Sequence, residues 1–148
     1  MSVNRQFTTF LLDGMYFGVD VLDVQEVIRF QEMTPVPLSS PMVSGLINLR
    51  GQIVTAIDLR RSLGLPDRPE GQVPMNVVVR LDDEVVSYIV DSIGEVIAVD
   101  QADFEPPPDT LPDEVRGVVC GLYKLENALL LILDPPLISE QTPPTRLN

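Results

Sequence analysis

Residues 45–61, GLINLRGQIVTAIDLRR, contain two apolar strands folded back on each other on either side of Arg50-Gly51. Glycine suits the second central position of a tight hairpin turn because it adopts positive φ without steric cost. Branched residues such as Ile53 and Ile57 fit a pleated, half-buried surface. The stretch therefore predicts a β-hairpin that carries Arg50 at its tip.

The tip of this hairpin is polar, since Asn48 and Gln52 stand beside Arg50. The planar guanidinium of an arginine can bind a carboxylate through two parallel hydrogen bonds. A solvated arginine at a surface turn is the simpler interpretation of the tip taken alone. The tip becomes a candidate binding site only when further features of the chain support it.

The chain contains an internal repeat. Shifted by 69 positions, residues 12–28 fall on residues 81–97 without a gap and are identical at six of 17 positions. Shifted by 76 positions, residues 45–58 fall on residues 121–134. The same order of segments at nearly the same spacing indicates two similar folded units, with chance similarity between β-rich stretches as the alternative.

The repeat predicts a mainly β architecture. Each unit has about five short strands in roughly 65 residues, a pattern that suggests a small barrel. The predicted divisions are a first barrel at approximately residues 7–65, a linker at 66–74, a second barrel at approximately 75–134 and a polar tail at 135–148. We expect five apolar residues of the two hairpins to be buried, namely Ile53, Ile57, Leu129, Leu131 and Leu133.

Composition argues against several classes of function. The net charge is −12, and such a surface repels nucleic-acid backbones and anionic lipid. The longest apolar run, residues 128–133, is too short to span a bilayer, and the first residues lack the apolar region of a secretory signal. A single cysteine, Cys120, fits a reducing compartment. We therefore expect a cytoplasmic protein that neither binds nucleic acid nor inserts into the membrane.

No catalytic or metal-binding arrangement stands out. The sequence has no histidine and no glycine-rich phosphate-binding motif. Asp58 and Asp134 occupy equivalent repeat positions, as the paired carboxylates of an aspartic protease do, but neither lies in the small-residue turn that such a site needs. The acidic residues 82–84 lack the D-x-[DN]-x-[DN]-G pattern of a calcium loop. We expect no enzymatic activity, no cofactor and no metal, and therefore an interaction module.

The hairpin resembles a block of the chemotaxis coupling (CheW-like) family, whose pattern runs G-h-h-N-h-R-G-x-h-h-x-h-h-D-L-R, where h is apolar. The matching residues are Gly45, Asn48, Arg50, Gly51, Asp58, Leu59 and Arg60. The similarity extends from Phe7 to about Asp134. The resemblance implies a single CheW-like domain over residues 1–148, folded as two SH3-like five-stranded β-barrels around a shared hydrophobic core.

The resemblance also implies a function. It predicts a non-enzymatic adaptor that couples chemoreceptors to the chemotaxis histidine kinase in bacterial signal transduction, at receptor arrays on the inner face of the membrane. The implied partners are the CheW-like regulatory domain of the kinase and the cytoplasmic tip of methyl-accepting receptors. Two alternatives remain, an adaptor of a parallel chemosensory system with surface motility or another output, and a generic SH3-like peptide binder. Aromatic residues are only 5% of the chain, which disfavours a proline-binding groove.

In the family, the arginine of this block lies on a partner-contacting surface, which implies the same role for Arg50. We expect Arg50 to bind a carboxylate of the receptor or the kinase. The equivalent tip in the second repeat carries Glu126-Asn127, so the two tips have opposite charge. The candidate partner-binding residues are Val24, Glu26, Gly45, Asn48, Arg50, Gly51, Val96 and Glu126.

Overall fold

The computed structural model describes residues 4–37 and 40–141, and within them the chain forms ten strands, three short α-helices and two 3₁₀ helices. The strands are β1 (Asn4–Leu12), β2 (Met15–Asp20), β3 (Val24–Arg29), β4 (Val43–Leu49), β5 (Gln52–Asp58), β6 (Met75–Arg80), β7 (Val85–Val90), β8 (Ser92–Asp100), β9 (Val119–Lys124) and β10 (Leu129–Leu133). The α-helices are α1 (Leu59–Ser62), α2 (Asp113–Arg116) and α3 (Pro135–Gln141), and the 3₁₀ helices are Val21–Asp23 and Gln101–Asp103. None of the helices in these ranges is long and apolar enough to cross a membrane.

Tight turns occur at Asp13-Gly14 and at Arg50-Gly51, and the sequence predicted the second of them. Asp13 and Gly14 have φ values of 49° and 79°, and Arg50 and Gly51 have φ values of 52° and 89°. Two successive residues with positive φ produce the turn whose twist matches that of the flanking strands. The side-chain oxygen of Asn48 also accepts a hydrogen bond from the Gly51 amide at 2.8 Å. The predicted hairpin is confirmed, with β4 and β5 as its strands.

The strands form two five-stranded sheets. Sheet 1 has the order β8–β1–β2–β10–β9, and sheet 2 has the order β3–β6–β7–β5–β4. Neighbouring strands are antiparallel except for the β2/β10 and β5/β7 pairs, which are parallel. The predicted mainly β fold with two five-stranded units is confirmed. Each sheet, however, takes two strands from one half of the chain and three from the other.

This exchange of strands corrects the predicted division into a first barrel at residues 7–65 and a second at 75–134. Turn signals specify which consecutive strands form hairpins. They do not specify which hairpin pairs with another, because that choice depends on long-range packing. Residues 66–74 do connect the two halves without a helix or strand of their own.

The internal repeat relates the two sheets to each other. Exchanging β1–β5 with β6–β10 converts the strand order of sheet 1 into that of sheet 2. The strand register follows the same rule. Leu131 pairs with Phe17 in sheet 1, and the residues 76 and 69 positions away from them, Thr55 and Val86, pair in sheet 2. The repeat seen in the sequence is therefore a repeat of structure, with strands exchanged between its two copies.

Buried apolar residues form one shared core and two smaller ones. The shared core combines residues of both sheets with one residue from each α-helix, Leu59, Val115 and Ile138. The core of sheet 1 consists of Phe7, Tyr123, Leu130 and Ile132. The core of sheet 2 consists of Ile47, Leu49, Val54, Ala56, Val78 and Ile89. The predicted packing of two units around a shared core is confirmed.

Three of the five hairpin residues predicted to be buried are buried, namely Ile57, Leu131 and Leu133. The prediction was wrong for Ile53 and Leu129, which are 62% and 48% exposed. Alternation along β5 places Ile53 and Ile57 on the same face of sheet 2. Ile57 packs into the shared core, but the hairpin extends beyond it, so the same face is exposed at Ile53.

The segment after β10 begins with a helix, which corrects the predicted polar tail at residues 135–148. The amides of Leu137 and Ile138 donate to the Asp134 carbonyl oxygen at 3.0 and 3.2 Å. Proline is tolerated in the first turn because the amides there lack intrahelical partners. Ile138 is buried in the shared core and anchors the helix. The rest of the predicted tail, residues 142–148, lies outside the described residues.

Candidate functional site

The tip of the β4–β5 hairpin contacts β3, the strand at the opposite end of sheet 2. The Arg50 guanidinium binds both carboxylate oxygens of Glu26, with Nη1 at 3.0 Å from Oε1 and a second hydrogen bond from Nη2 to Oε2. β3 and β4 are the two edge strands of the sheet. Sheet 2 is therefore curved so strongly that its two edge strands, β3 and β4, approach each other at this ion pair.

The Arg50–Glu26 pair lies at the surface. The Arg50 side chain is 68% exposed and the Glu26 side chain 21%. Hydrogen bonding from Arg50 lowers the pKa of Glu26, and hydrogen bonding to Glu26 raises the pKa of Arg50. Both groups are therefore charged near neutral pH, and the pair presents a fixed guanidinium to solvent.

Polar and apolar residues surround the pair. The Gln25 side-chain amide lies 3.5 Å from the Glu26 carboxylate, and Arg80 donates to the Gln25 side-chain oxygen at 3.1 Å. The exposed Ile53 follows the tip by two residues. An oriented arginine next to an exposed apolar side chain is typical of protein–protein contact surfaces.

Three predicted binding residues have structural roles in the hairpin. A Cβ at the buried Gly45 would lie 2.7 Å from the carbonyl oxygen of Thr34. The backbones of Thr34 and Leu46 exchange two hydrogen bonds of 2.8 Å at this close approach. Asn48 and Gly51 hold the turn together, as described above. These residues position Arg50, and a contact of their own with a partner stays a prediction.

The remaining predicted residues divide between the sheets. Val24 lies on β3 of sheet 2 and packs, partly buried, against the shared core. Val96 lies on β8, an edge strand of sheet 1, and is 57% exposed. Glu126 lies in the turn between β9 and β10 of sheet 1 and is exposed. The structure thus brings Arg50 and Glu26 into contact and assigns Val96 and Glu126 to the other sheet.

The second tip has different charges at the same positions. Glu95 and Glu126 stand 69 and 76 positions after Glu26 and Arg50. Where sheet 2 has a carboxylate and a guanidinium that bind each other, sheet 1 has two carboxylates. The sequence predicted the contrast between the tips but missed Glu26 as the partner of Arg50, since the two residues are 24 positions apart on different strands.

The structure gives the two repeated aspartates separate roles. The Asp58 carboxylate accepts a hydrogen bond from the Arg60 amide at 3.0 Å and caps α1. Asp134 lines a groove between the end of β10 and α3. In the described part of the chain, no group of three or more acidic or cysteine side chains is arranged to hold a metal ion.

Comparisons with known proteins agree with this architecture. Residues 6–142 match the CheW-like domain family. The chain is 29% identical over 134 residues to the chemotaxis protein CheW of Bacillus subtilis (strain 168), which covers 90% of this chain and 86% of that protein. It is 30% identical over 135 residues to the chemotaxis protein CheW of Thermotoga maritima, with 90% and 86% covered. The crystal structure of the scaffolding protein TtCheW from Thermoanaerobacter tengcongensis matches with a TM-score of 0.80 and 29% identity, covering 89% of this chain and 90% of that one.

Proposed function

The chain belongs to the CheW-like domain family, and we propose that it binds its partners through the Arg50–Glu26 surface of sheet 2 and a second surface on sheet 1. Its relatives are chemotaxis proteins and a scaffolding protein that match over nearly their full length. The chain is accordingly a chemotaxis coupling adaptor between receptors and kinase.

The proposed partners are the CheW-like regulatory domain of the chemotaxis histidine kinase and the cytoplasmic tip of a methyl-accepting receptor. An adaptor has to distinguish two partners, and opposite charges allow two similar surfaces to do so. The two tips meet this requirement, because Arg50 in sheet 2 corresponds to Glu126 in sheet 1. The proposal places the protein in the cytoplasm at receptor arrays and assigns it no catalytic activity.

The observation that carries the proposal is the exposed ion pair. Glu26 occupies two nitrogens of the Arg50 guanidinium, and the side chain remains 68% exposed. A guanidinium has five N–H donors, so donors remain for a carboxylate of a partner. Because Glu26 already orients the arginine, binding would lose less side-chain entropy than with a freely moving side chain.

Co-sedimentation of the protein with receptor-containing membrane vesicles and kinase tests this role. Arg50→Glu should weaken assembly by about 2–5 kcal/mol if the arginine is buried in the complex. Arg50→Lys should have an intermediate effect, because it keeps the charge and loses the fork. Arg29→Glu, a reversal of an exposed arginine on the same sheet, is the matched control and should have little effect.

The double variant Arg50→Glu/Glu26→Arg separates a contact role from an internal one. It restores the ion pair within the chain but reverses its direction. If Arg50 binds a carboxylate of the partner, the double variant should recruit as poorly as Arg50→Glu. Recovery of wild-type recruitment would show that the pair only maintains the shape of sheet 2. Circular dichroism of each variant confirms that it is folded.

A further inference from the structure

Strand β3 carries a β-bulge immediately before Glu26. On one side of the bulge, Val24 pairs with Val79 on β6. On the other side, Glu26 pairs with Val78, which leaves Gln25 as an extra residue between the two pairs. A bulge re-aims the side chains next to it and is a feature of the fold rather than a defect. The bulge therefore decides on which face of sheet 2 Glu26 lies.

Without the bulge, Glu26 would face the shared core. An unbroken antiparallel register would set Glu26 opposite Val77, a residue of the shared core with 0% exposure. Opposed residues lie on the same face of a sheet, and a carboxylate buried without a partner is costly. The bulge sets Glu26 opposite Val78 instead, on the face of the sheet 2 core. Leu49, the residue before Arg50, packs on this face, so the bulge brings Glu26 to the side of Arg50.

Sheet 1 has a bulge at the same place in the repeat, and a buried hydroxyl holds it. The register of β1 with β8 shifts at Thr9. The Thr9 hydroxyl donates to the backbone carbonyl oxygen of Glu95 at 2.5 Å. Gly94 is the equivalent of Gln25, and a Cβ at Gly94 would lie 2.5 Å from the threonine hydroxyl oxygen. The sheet 1 bulge is therefore fixed by a contact within the sheet that leaves no room for a side chain.

Sheet 2 holds its bulge by a different contact. The residue equivalent to the threonine is Val78, which has no hydroxyl to donate. Arg80 instead donates to the Gln25 side-chain oxygen at 3.1 Å. The Gln25 amide nitrogen lies 3.5 Å from the Glu26 carboxylate, and this carboxylate binds Arg50 through two hydrogen bonds. A chain of polar contacts thus runs from Arg80 across the bulge to Arg50.

This chain of contacts belongs to the copy of the repeat that has the arginine tip. In sheet 1, the positions of Arg80 and Arg50 are taken by Leu11 and Glu126. The Arg50 side chain is 68% exposed, and a long exposed side chain loses conformational entropy when a partner orders it. Orientation by Glu26 before binding reduces this loss. The advantage lasts only while Glu26 is itself held in place.

We propose that Gln25 and Arg80 are positioning residues, which hold Glu26, and through it the Arg50 guanidinium, in the orientation that a carboxylate of the partner binds. The inference rests on the proposed function of the Arg50–Glu26 surface, and it assigns Gln25 and Arg80 no contact with the partner. Their effect on binding therefore depends on one shared contact, the hydrogen bond from Arg80 to Gln25.

A double-mutant cycle in the co-sedimentation assay tests the proposal. Arg80→Ala and Gln25→Ala should each weaken recruitment about threefold to tenfold, because Arg50 is no longer held before binding. The double variant should be no weaker than either single variant, since both remove the same contact. Arg80→Lys should remain within about twofold of the wild type, because one donated hydrogen bond does not need the guanidinium fork. Arg29→Ala, which removes an exposed arginine from β3, is the matched control and should leave recruitment unchanged.

NMR of the isolated, ¹⁵N- and ¹³C-labelled protein measures the positioning directly. In the wild type, the heteronuclear NOE of Arg50 Nε should report an ordered side chain. The Glu26 carboxyl carbon should titrate with a pKa below its ordinary value, because Arg50 donates hydrogen bonds to it. In Arg80→Ala and Gln25→Ala the NOE should fall and the pKa of Glu26 should rise toward the ordinary value. Arg29→Ala should change neither, and urea unfolding shows that each variant keeps the fold.

Three results would overturn the proposal. These are wild-type recruitment by either alanine variant, additive losses in the double variant, and an Arg50 NOE and a Glu26 pKa that do not change. Additive losses would mean that the two side chains contact the partner separately. Arg80 is exposed, so its substitution preserves the test if Gln25→Ala does not fold.

Failure of this proposal is distinct from failure of the proposed function. Wild-type recruitment by Arg50→Glu would remove the Arg50 surface as a binding site, whatever the NMR measurements show. If Arg50→Glu weakens recruitment and neither Arg80→Ala nor Gln25→Ala does, the surface stands and the positioning role is refuted.

Discussion

Asp91→Asn should lower the free energy of unfolding by about 3–5 kcal/mol at neutral pH. Asp91 is 7% exposed and accepts hydrogen bonds from Arg60 Nε at 2.8 Å, Arg68 Nε at 2.9 Å and the Asp13 amide at 2.8 Å. The substitution keeps the shape of the side chain and removes its charge. It leaves two buried guanidinia without their shared counterion, and this accounts for the large expected cost.

The same network makes stability depend on pH. Burial raises the pKa of Asp91, but hydrogen bonds from Arg60, the Asp13 amide and Arg68 lower it by a larger amount. The net result is a pKa of about 2, below the usual 3.8. A group whose pKa is depressed in the folded state stabilises the fold above its unfolded pKa and loses this effect as the pH falls through the folded value. The stability contributed by Asp91 is therefore lost between pH 4 and pH 2. Lowering a pKa by nearly two units corresponds to about 2.5 kcal/mol of folding free energy.

Urea unfolding of the wild type and of Asp91→Asn at a series of pH values from 7 to 2.5 measures this contribution. The difference between the two proteins should stay nearly constant down to about pH 4 and shrink below it. Glu70→Gln, at an exposed position near Arg68, is the matched control and should change stability by less than about 0.5 kcal/mol. A difference below about 1 kcal/mol at pH 7, or an equal difference at pH 3, would refute the reasoning.

Four further substitutions test the packing. Ile57→Ala should lower the free energy of unfolding by about 2–5 kcal/mol and Ile53→Ala by less than about 0.5 kcal/mol in urea, because the first residue is buried and the second is 62% exposed. Similar costs would contradict the position of Ile53 beyond the shared core. Gly45→Ala should cost about 1–3 kcal/mol in the same assay, since its Cβ would lie 2.7 Å from the Thr34 carbonyl oxygen, and an unchanged midpoint would mean that this close approach is not required. Ile138→Ala should cost about 2–5 kcal/mol in thermal or urea unfolding because α3 is anchored by this residue; a negligible effect would show that the helix does not support the core.

Local backbone chemistry accounts for what the sequence predicted well. The pairs Asp13-Gly14 and Arg50-Gly51 are suited to turns because both residues must adopt positive φ, and the structure has them in that conformation. Pairing between distant strands has no such local signal. Tyr16 and Leu130 are neighbours in parallel strands although more than a hundred residues separate them in sequence. The exchange of strands between the halves could therefore not be predicted from turn and strand patterns.

The candidate site also depends on a contact between distant strands that the sequence does not predict. The guanidinium of Arg50 was predicted to bind a carboxylate of the receptor or the kinase, and in the structure it binds a carboxylate of its own chain, that of Glu26. Both residues were predicted to belong to the site, but their contact depends on the curl of sheet 2 that brings its edge strands together. The exposure of Ile53 follows from the same geometry, because the hairpin extends beyond the shared core at the tip.

The internal repeat separates what the fold requires from what function can vary. Gly45 and Gly121 are equivalent, and a Cβ on either would collide with a backbone carbonyl, that of Thr34 or Glu105. Both contacts accompany an isolated β-bridge at the same place in the repeat, so the backbone itself requires glycine there. Side chains at the tips face no such requirement, and there the two copies differ in charge. Because a symmetric pair of sheets could not distinguish two partners, we expect the binding specificity of this adaptor to reside where the copies differ, at the tips with Arg50 and Glu126.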